Sequence, residues 1–167
     1  SLGSQNLLQA LSTADITSLA TATIQALTIS AISNLSGSQL SVLTSSQLLS
    51  LRADQIQALT PSQLASLSTG NIAALQSDQI NALQSNQVAG MTTAQIQSLT
   101  TTAIRSLSLT IVAMRTDQIK ALTANQVKVL TSEQLNNLES DQLNAIDAAD
   151  ISSIGSPVFS NISPNQI

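Results

Sequence analysis

Ala58-Leu59-Thr60-Pro61-Ser62-Gln63-Leu64-Ala65-Ser66-Leu67 is the stretch that decides the fold. Leu59 and Leu67 stand eight residues apart, and Leu64 follows the first of them by five. Stepping outward by eight gives Leu11, Leu19, Leu27, Leu35, Leu43 and Leu51 on one side, and Leu75, Leu83, Met91, Leu99 and Leu107 on the other. A second apolar series keeps the offset of Leu64: Ile16, Ile24, Ile32, Leu40, Leu48, Ile56, then Ile72, Ile80, Val88, Ile96 and Ile104. Leu107 is followed by Met114, a slip of one residue, after which the pattern resumes at Leu122, Leu130, Leu138, Ile146, Ile154 and Ile162. Ile119, Val127, Leu135, Leu143, Ile151 and Phe159 are the companions there. The unit is an octad, L-[T/S]-x-x-Q-[I/L/V]-x-[A/S], and residues 3–167 read as one array of it. Self-similarity at a fixed period is the signature of a solenoid.

Neither regular structure fits this period unbroken. Eight residues at ~100° each leave a drift of ~80° per octad, so the apolar stripe would wind around one continuous helix. A strand needs a period of two, and these spacings are five and three. A short helix broken once per octad does fit, because position 6 and the next position 1 lie three apart on one helical face.

The polar positions give the same register. Ser or Thr at position 2 with Gln at position 5 has capping-box spacing, as in Thr44 with Gln47, Thr60 with Gln63, Thr92 with Gln95 and Thr131 with Gln134. Pro61, Pro157 and Pro164 each follow such a Ser or Thr, where the first helical residue tolerates proline. Asp15, Asp54, Asp78, Asp117, Glu133, Glu139, Asp141, Asp147 and Asp150 occupy positions 2, 4 or 5, at the helix start, where the dipole favours anions. Arg105, Lys120 and Lys128 lie at position 7, near the end; Arg52 and Arg115, at position 2, are exceptions. In octads such as Leu75-Gln76-Ser77-Asp78, position 3 is an alternative cap.

Each octad is therefore expected to be a helix of about five or six residues and a tight turn, and the fold class is an all-α solenoid of about twenty such units. Helices this short hold only by stacking on neighbours. Small residues at position 8 (Ala58, Ala74, Ala82, Gly90, Ala121, Ala145) would let layers approach closely, while Gly3, Gly37, Gly70 and Gly155 read as turn or boundary residues. With two octads per coil and layers ~9–10 Å apart, the rod would be roughly 90–100 Å long. The last octad stops at Ile162-Ser163-Pro164-Asn165-Gln166-Ile167 without a polar cap, which suggests a segment of a longer array or a unit that stacks end to end.

Composition removes most chemistry. Charged residues are 8% of the chain and aromatics 1%, with no His, Cys, Trp or Tyr. Serines and threonines without a His lack their common activating base, so no catalytic, cofactor-binding or metal-binding residue is expected and the chain does not read as an enzyme. Glu139 with Asp141, and Asp147 with Asp150, could be carboxylate pairs but share the helix-start positions of the other acids. No Asp-rich, Gly-turned loop suits calcium, and Met91 and Met114 stand in for core Leu. A net charge of -4 with five Lys and Arg leaves no nucleic-acid footprint. No run approaches ~18 consecutive apolar residues, so membrane insertion is not expected, and the start is unlike a signal peptide. The recurring Ser/Thr or Gln (Gln39, Gln47, Gln55, Gln63, Gln79, Gln87, Gln95, Gln118, Gln126, Gln134, Gln142) could form a ladder facing glycan, peptide or ice, although capping already accounts for both positions.

Ala58-Leu59-Thr60-Pro61-Ser62-Gln63-Leu64 and Met91-Thr92-Thr93-Ala94-Gln95-Ile96-Gln97-Ser98-Leu99 resemble repeat arrays of very large bacterial proteins, secreted or adhesin-like at the cell surface. That resemblance implies an extracellular stalk, spacer or filament segment, whose partners are neighbouring repeats or further copies end to end. It carries no catalytic or binding residue.

Overall fold

The computed structural model describes residues 8–155, and every regular element in them is a short helix. In chain order these are α1 (Thr13–Ser18), α2 (Thr21–Ala26), α3 (Ile29–Ser33), α4 (Gly37–Ser41), α5 (Ser45–Leu49) and α6 (Ala53–Gln57). α7 (Pro61–Ala65), α8 (Thr69–Ala74), α9 (Ser77–Asn81), α10 (Ser85–Gly90), α11 (Thr93–Ser98) and α12 (Thr101–Ser106) follow. A 3-10 helix, η1 (Ser108–Ala113), then precedes α13 (Thr116–Lys120), α14 (Ala124–Val127), α15 (Ser132–Asn137), α16 (Ser140–Ala145) and α17 (Ala148–Ser152). The helices are four to six residues long, as the octad predicts.

Each element packs on the third one along: α1 on α4, α2 on α5, α3 on α6, and so on to α14 on α17, with η1 counted as one element. A coil therefore has three sides and consumes three octads, not the two expected. The difference shortens the expected rod, since the six coils of the described residues, at ~8–10 Å per layer, span roughly 50–60 Å. The side made by α2, α5, α8, α11, α13 and α16 is called the second side below.

The core is the two apolar series. Ile16, Ile32, Leu40, Leu48, Ile56, Leu64, Ile80, Val88, Ile96 and Ile104, all at position 6, are at most 1% exposed, and the position 1 residues Leu35 to Met114 join them. Met91 and Met114 are core, as expected. Position 6 is the fourth helical residue and position 1 the chain's corner. At the corner its N–H bonds back to the position 6 carbonyl, as in Leu67 N–H to Leu64 O at 3.1 Å. Both series thus point inward from every side.

Position 2 is the N-cap in every octad from α1 to α17, including Gln76, so position 3 does not compete. Pro61 is the first residue of its helix; Pro157 and Pro164 lie outside the described residues. Gly37 and Gly70 are not turn residues. They lie inside α4 and α8, and no described glycine has a positive φ. Gly90 shows what small residues do at position 8: a Cβ there would come 2.5 Å from Cβ of Pro61 in the coil beneath. Gly3 is outside the described residues, and Gly155 follows the last helix.

Candidate functional site

The chemistry of this chain is concentrated in position 5. A Gln there is the third residue of its helix, close enough for its amide oxygen to reach back to the cap N–H. Thr60 N–H donates to Gln63 Oε1 at 2.8 Å, while Gln63 N–H donates to Thr60 Oγ1 at 3.2 Å. The same reciprocal pair forms at Thr44, Thr92, Thr123 and Thr131.

The other end of the amide points down the rod. A helix leaves its last carbonyls without intrahelical partners, and here the Gln of the next coil supplies the donors. Gln47 Nε2 donates to Ile16 O and Leu19 O, both at 2.8 Å. Gln87 reaches Ile56 O at 2.9 Å and Leu59 O at 2.7 Å; Gln95 reaches Leu64 O at 3.0 Å and Leu67 O at 2.8 Å. Below the slip the usual acceptors are the position 6 and position 1 carbonyls, 31 and 28 residues earlier. Gln63 and Gln142 take the position 7 carbonyls of Ser33 and Val112 in place of position 6. One side chain thus closes the start of its own helix and the end of a helix below.

These rungs are buried. Gln39, Gln47, Gln55, Gln63, Gln79, Gln87, Gln95, Gln118, Gln126, Gln134 and Gln142 range from 0% to 9% exposed. A buried amide is costly unless its bonds are made, and here both ends are bonded. The ladder foreseen in the sequence exists, but it faces inward to carbonyls and presents nothing to a ligand. Asn71 is a twelfth rung that the Gln series misses. Its shorter side chain keeps the downward bond to Leu43 O, at 2.8 Å, and accepts from Ser45 Oγ at 3.1 Å. Its place at position 5 was the available signal.

The heptad between Leu107 and Met114 forms η1, and Ser108 there has φ 45°, in the left-handed region. Across it the reach of the rungs shortens by one residue: Gln118 bonds Val88 O and Met91 O, 30 and 27 residues back. The same carbonyl types are used, so the core register survives.

Arg52 and Arg115 are not stray charges. Each occupies a cap without a capping side chain, forks onto the Asp two residues later, and donates to a carbonyl of the coil beneath. Arg52 Nε lies 3.0 Å from Asp54 Oδ1 and its Nη1 donates to Gln25 O; Arg115 repeats this with Asp117 and Ala89 O. The guanidinium beside each Asp holds its carboxyl below the usual range. Asp15 is lowered likewise by the Ser12 hydroxyl and then the Ser12 N–H. The shared Arg-x-Asp spacing at positions 2 and 4 was the signal for this device.

The acidic residues lie at helix starts as expected, and Glu139 with Asp141 and Asp147 with Asp150 follow that pattern. Among the described residues no cluster of three or more Asp and Glu could hold a metal ion, and no helix is long and apolar enough to cross a membrane. An open depression of about 480 Å³ beside Leu11, Ser12, Thr13, Asn34 and Ser38 is lined by no ionisable group.

No curated protein matches the sequence. Residues 61–93, 72–109 and 111–140 match the family model described as the ALTTAQ repeat, whose six letters correspond to octad positions 8 and 1 to 5, as in Gly90-Met91-Thr92-Thr93-Ala94-Gln95. The chain is a tandem-repeat protein of short helices, and its middle is similar to the ALTTAQ repeat.

Proposed function

We propose that this chain is a structural rod: a stalk, spacer or filament segment of a bacterial extracellular or surface protein, working by length and stiffness and not by catalysis. The observation that carries this reading is the buried amide ladder. It bonds coil to coil along the core while the outer positions carry few charges. A rod needs strong vertical bonding and little else, and the residues that would serve a catalyst are instead spent on helix starts. The test has two parts. Small-angle scattering of the chain should give a rod about six coils long, shortened by one layer when 24 residues are deleted in register; a length unchanged by that deletion overturns the rod. Labelling of intact host cells with an antibody to the array should find it outside; labelling only after lysis overturns the surface assignment.

A second reading, a solenoid that binds glycan or ice, is favoured by one observation. Thr21, Ser45, Thr69, Thr93, Thr116 and Ser140 all begin helices of the second side and form a column of hydroxyl residues along it. Retention on a glycan array, or ice recrystallisation inhibition that is lost when Thr69 and Thr93 become Val, would establish it; no retention and no inhibition reject it.

A further inference from the structure

From Gln39 to Gln95 a rung occurs every eight residues, and again from Gln118 to Gln142. Between Gln95 and Gln118 there is none. Position 5 holds Ala103 in α12, and Thr110 takes that place in η1. Thr110 spends its hydroxyl on its own coil, donating to Leu107 O at 2.6 Å. The carbonyls that an amide at these places would serve, counting back by the spacing of the neighbouring rungs, belong to Leu75 and Leu83, both buried corners. They accept no side-chain amide. Two successive sides, α12 over α9 and η1 over α10, therefore pack on the coil beneath without an amide rung to it.

Three other irregularities fall in the same place. η1 is the one 3-10 element among the described residues, and 3-10 geometry makes poorer hydrogen bonds than the α-helix. Ser108 has the one positive φ among described non-glycine residues, a conformation that costs a residue with a Cβ. Leu109 and Val112 of η1 are 49% and 36% exposed, so two of the four exposed large apolar side chains among the described residues lie on this one element.

We propose that the rod has a built-in yield point inside its zipped length, distinct from the end of the described residues, where α17 also lacks a rung because its position 5 is Asp150. The two-sided segment Thr100–Ala113 separates from the coil beneath it while the zipped coils on either side remain closed. This rests on the rod reading above: a stalk under load would lengthen at this seam first.

Hydrogen exchange of the full chain followed by mass spectrometry tests it. Amides of Thr100–Ala113 should exchange roughly tenfold or more faster than the equivalent amides of α7, α8 and α14, as local opening of the least-bonded unit requires. Ala103→Gln restores a rung and should slow α12 towards the rest. If that variant does not fold, Gln126→Ala serves as the converse: it removes the bonds to Ile96 O and Leu99 O and should create a second fast segment at α14. Uniform exchange along the wild-type rod, or a Gln126→Ala chain with no new fast segment, overturns the yield point. A scattering profile that is not rod-like would instead sink the rod reading, and the two failures are distinct.

Discussion

The octads starting at Leu51 and Leu59 are neighbours with the same fold and different means of holding it. The second has Thr60 at its cap, bonded to the Gln63 N–H, and Pro61 behind it. The first has Arg52 at its cap, with no side-chain cap bond, and an Arg52–Asp54 fork whose other donor reaches the coil below. The later pair, Arg115 beside Thr123, repeats the contrast. In all four, the position 5 Gln accepts from the cap N–H, at 2.7 to 2.9 Å. The cap residue is negotiable and the amide is not: the hydroxyl serves one N–H on a wet surface, whereas the Gln serves three buried groups at once.

The largest expected effect follows. Gln55→Ala and Gln63→Ala each leave a cap N–H and corner carbonyls without partners, and each should lower stability by about 2–4 kcal/mol. The loss should be nearly equal in the Arg octad and the Thr octad, measured by urea denaturation; a loss confined to one kind would break the comparison. Next comes the cap itself. Thr60→Ala should cost about 1 kcal/mol, whereas Arg52→Ala removes a surface fork with Arg and Asp side chains 42% and 48% exposed and should change stability by less than ~0.5 kcal/mol. Equal costs at the two caps would show that the fork substitutes for the hydroxyl. Salt sharpens this difference, since 1 M NaCl should erase what Arg52 contributes and leave the Thr60 cap untouched.

The smallest effect is in pH. The folded carboxyls of Asp54 and Asp117 titrate below their ordinary value because of the adjacent Arg. Their contribution is fully present above the unfolded value of ~3.9 and is lost as pH falls through the lowered folded value. Acid should therefore destabilise the wild type slightly more than Asp54→Asn/Asp117→Asn across that window. Identical acid profiles for the two would remove any role of the forks in stability.

Most of the octad was legible in the sequence. Thr60 with Gln63, Pro61 and the acidic helix starts all depend on bonds within eight residues, and local chemistry leaves its mark at local spacing. The coil size did not show, because a period of eight repeats identically whether two octads or three close a turn. What separates them is the downward reach of Gln47 to Leu19, a bond between residues that no single octad contains. For the same reason Gln63 was legible as half of a capping box and not as a rung, and Arg52 looked like an exception until the coil below it was in view. The glycines misled for a related cause: Gly37 is excused a turn by its place beside Ser66, one coil away, where an added Cβ would lie 3.3 Å from the serine Cβ.

Three sides per coil turn the octad into an angular step as well as a step along the chain. Inserting one octad below Leu107 would leave every rung able to find a position 6 and a position 1 carbonyl, so the core would accept it. It would also rotate everything beyond the insertion by roughly a third of a turn, carrying Leu109, Val112 and the charges of α13 to α17 round to a different bearing. Changes of three octads lengthen the rod and keep its compass; changes of one or two re-aim it.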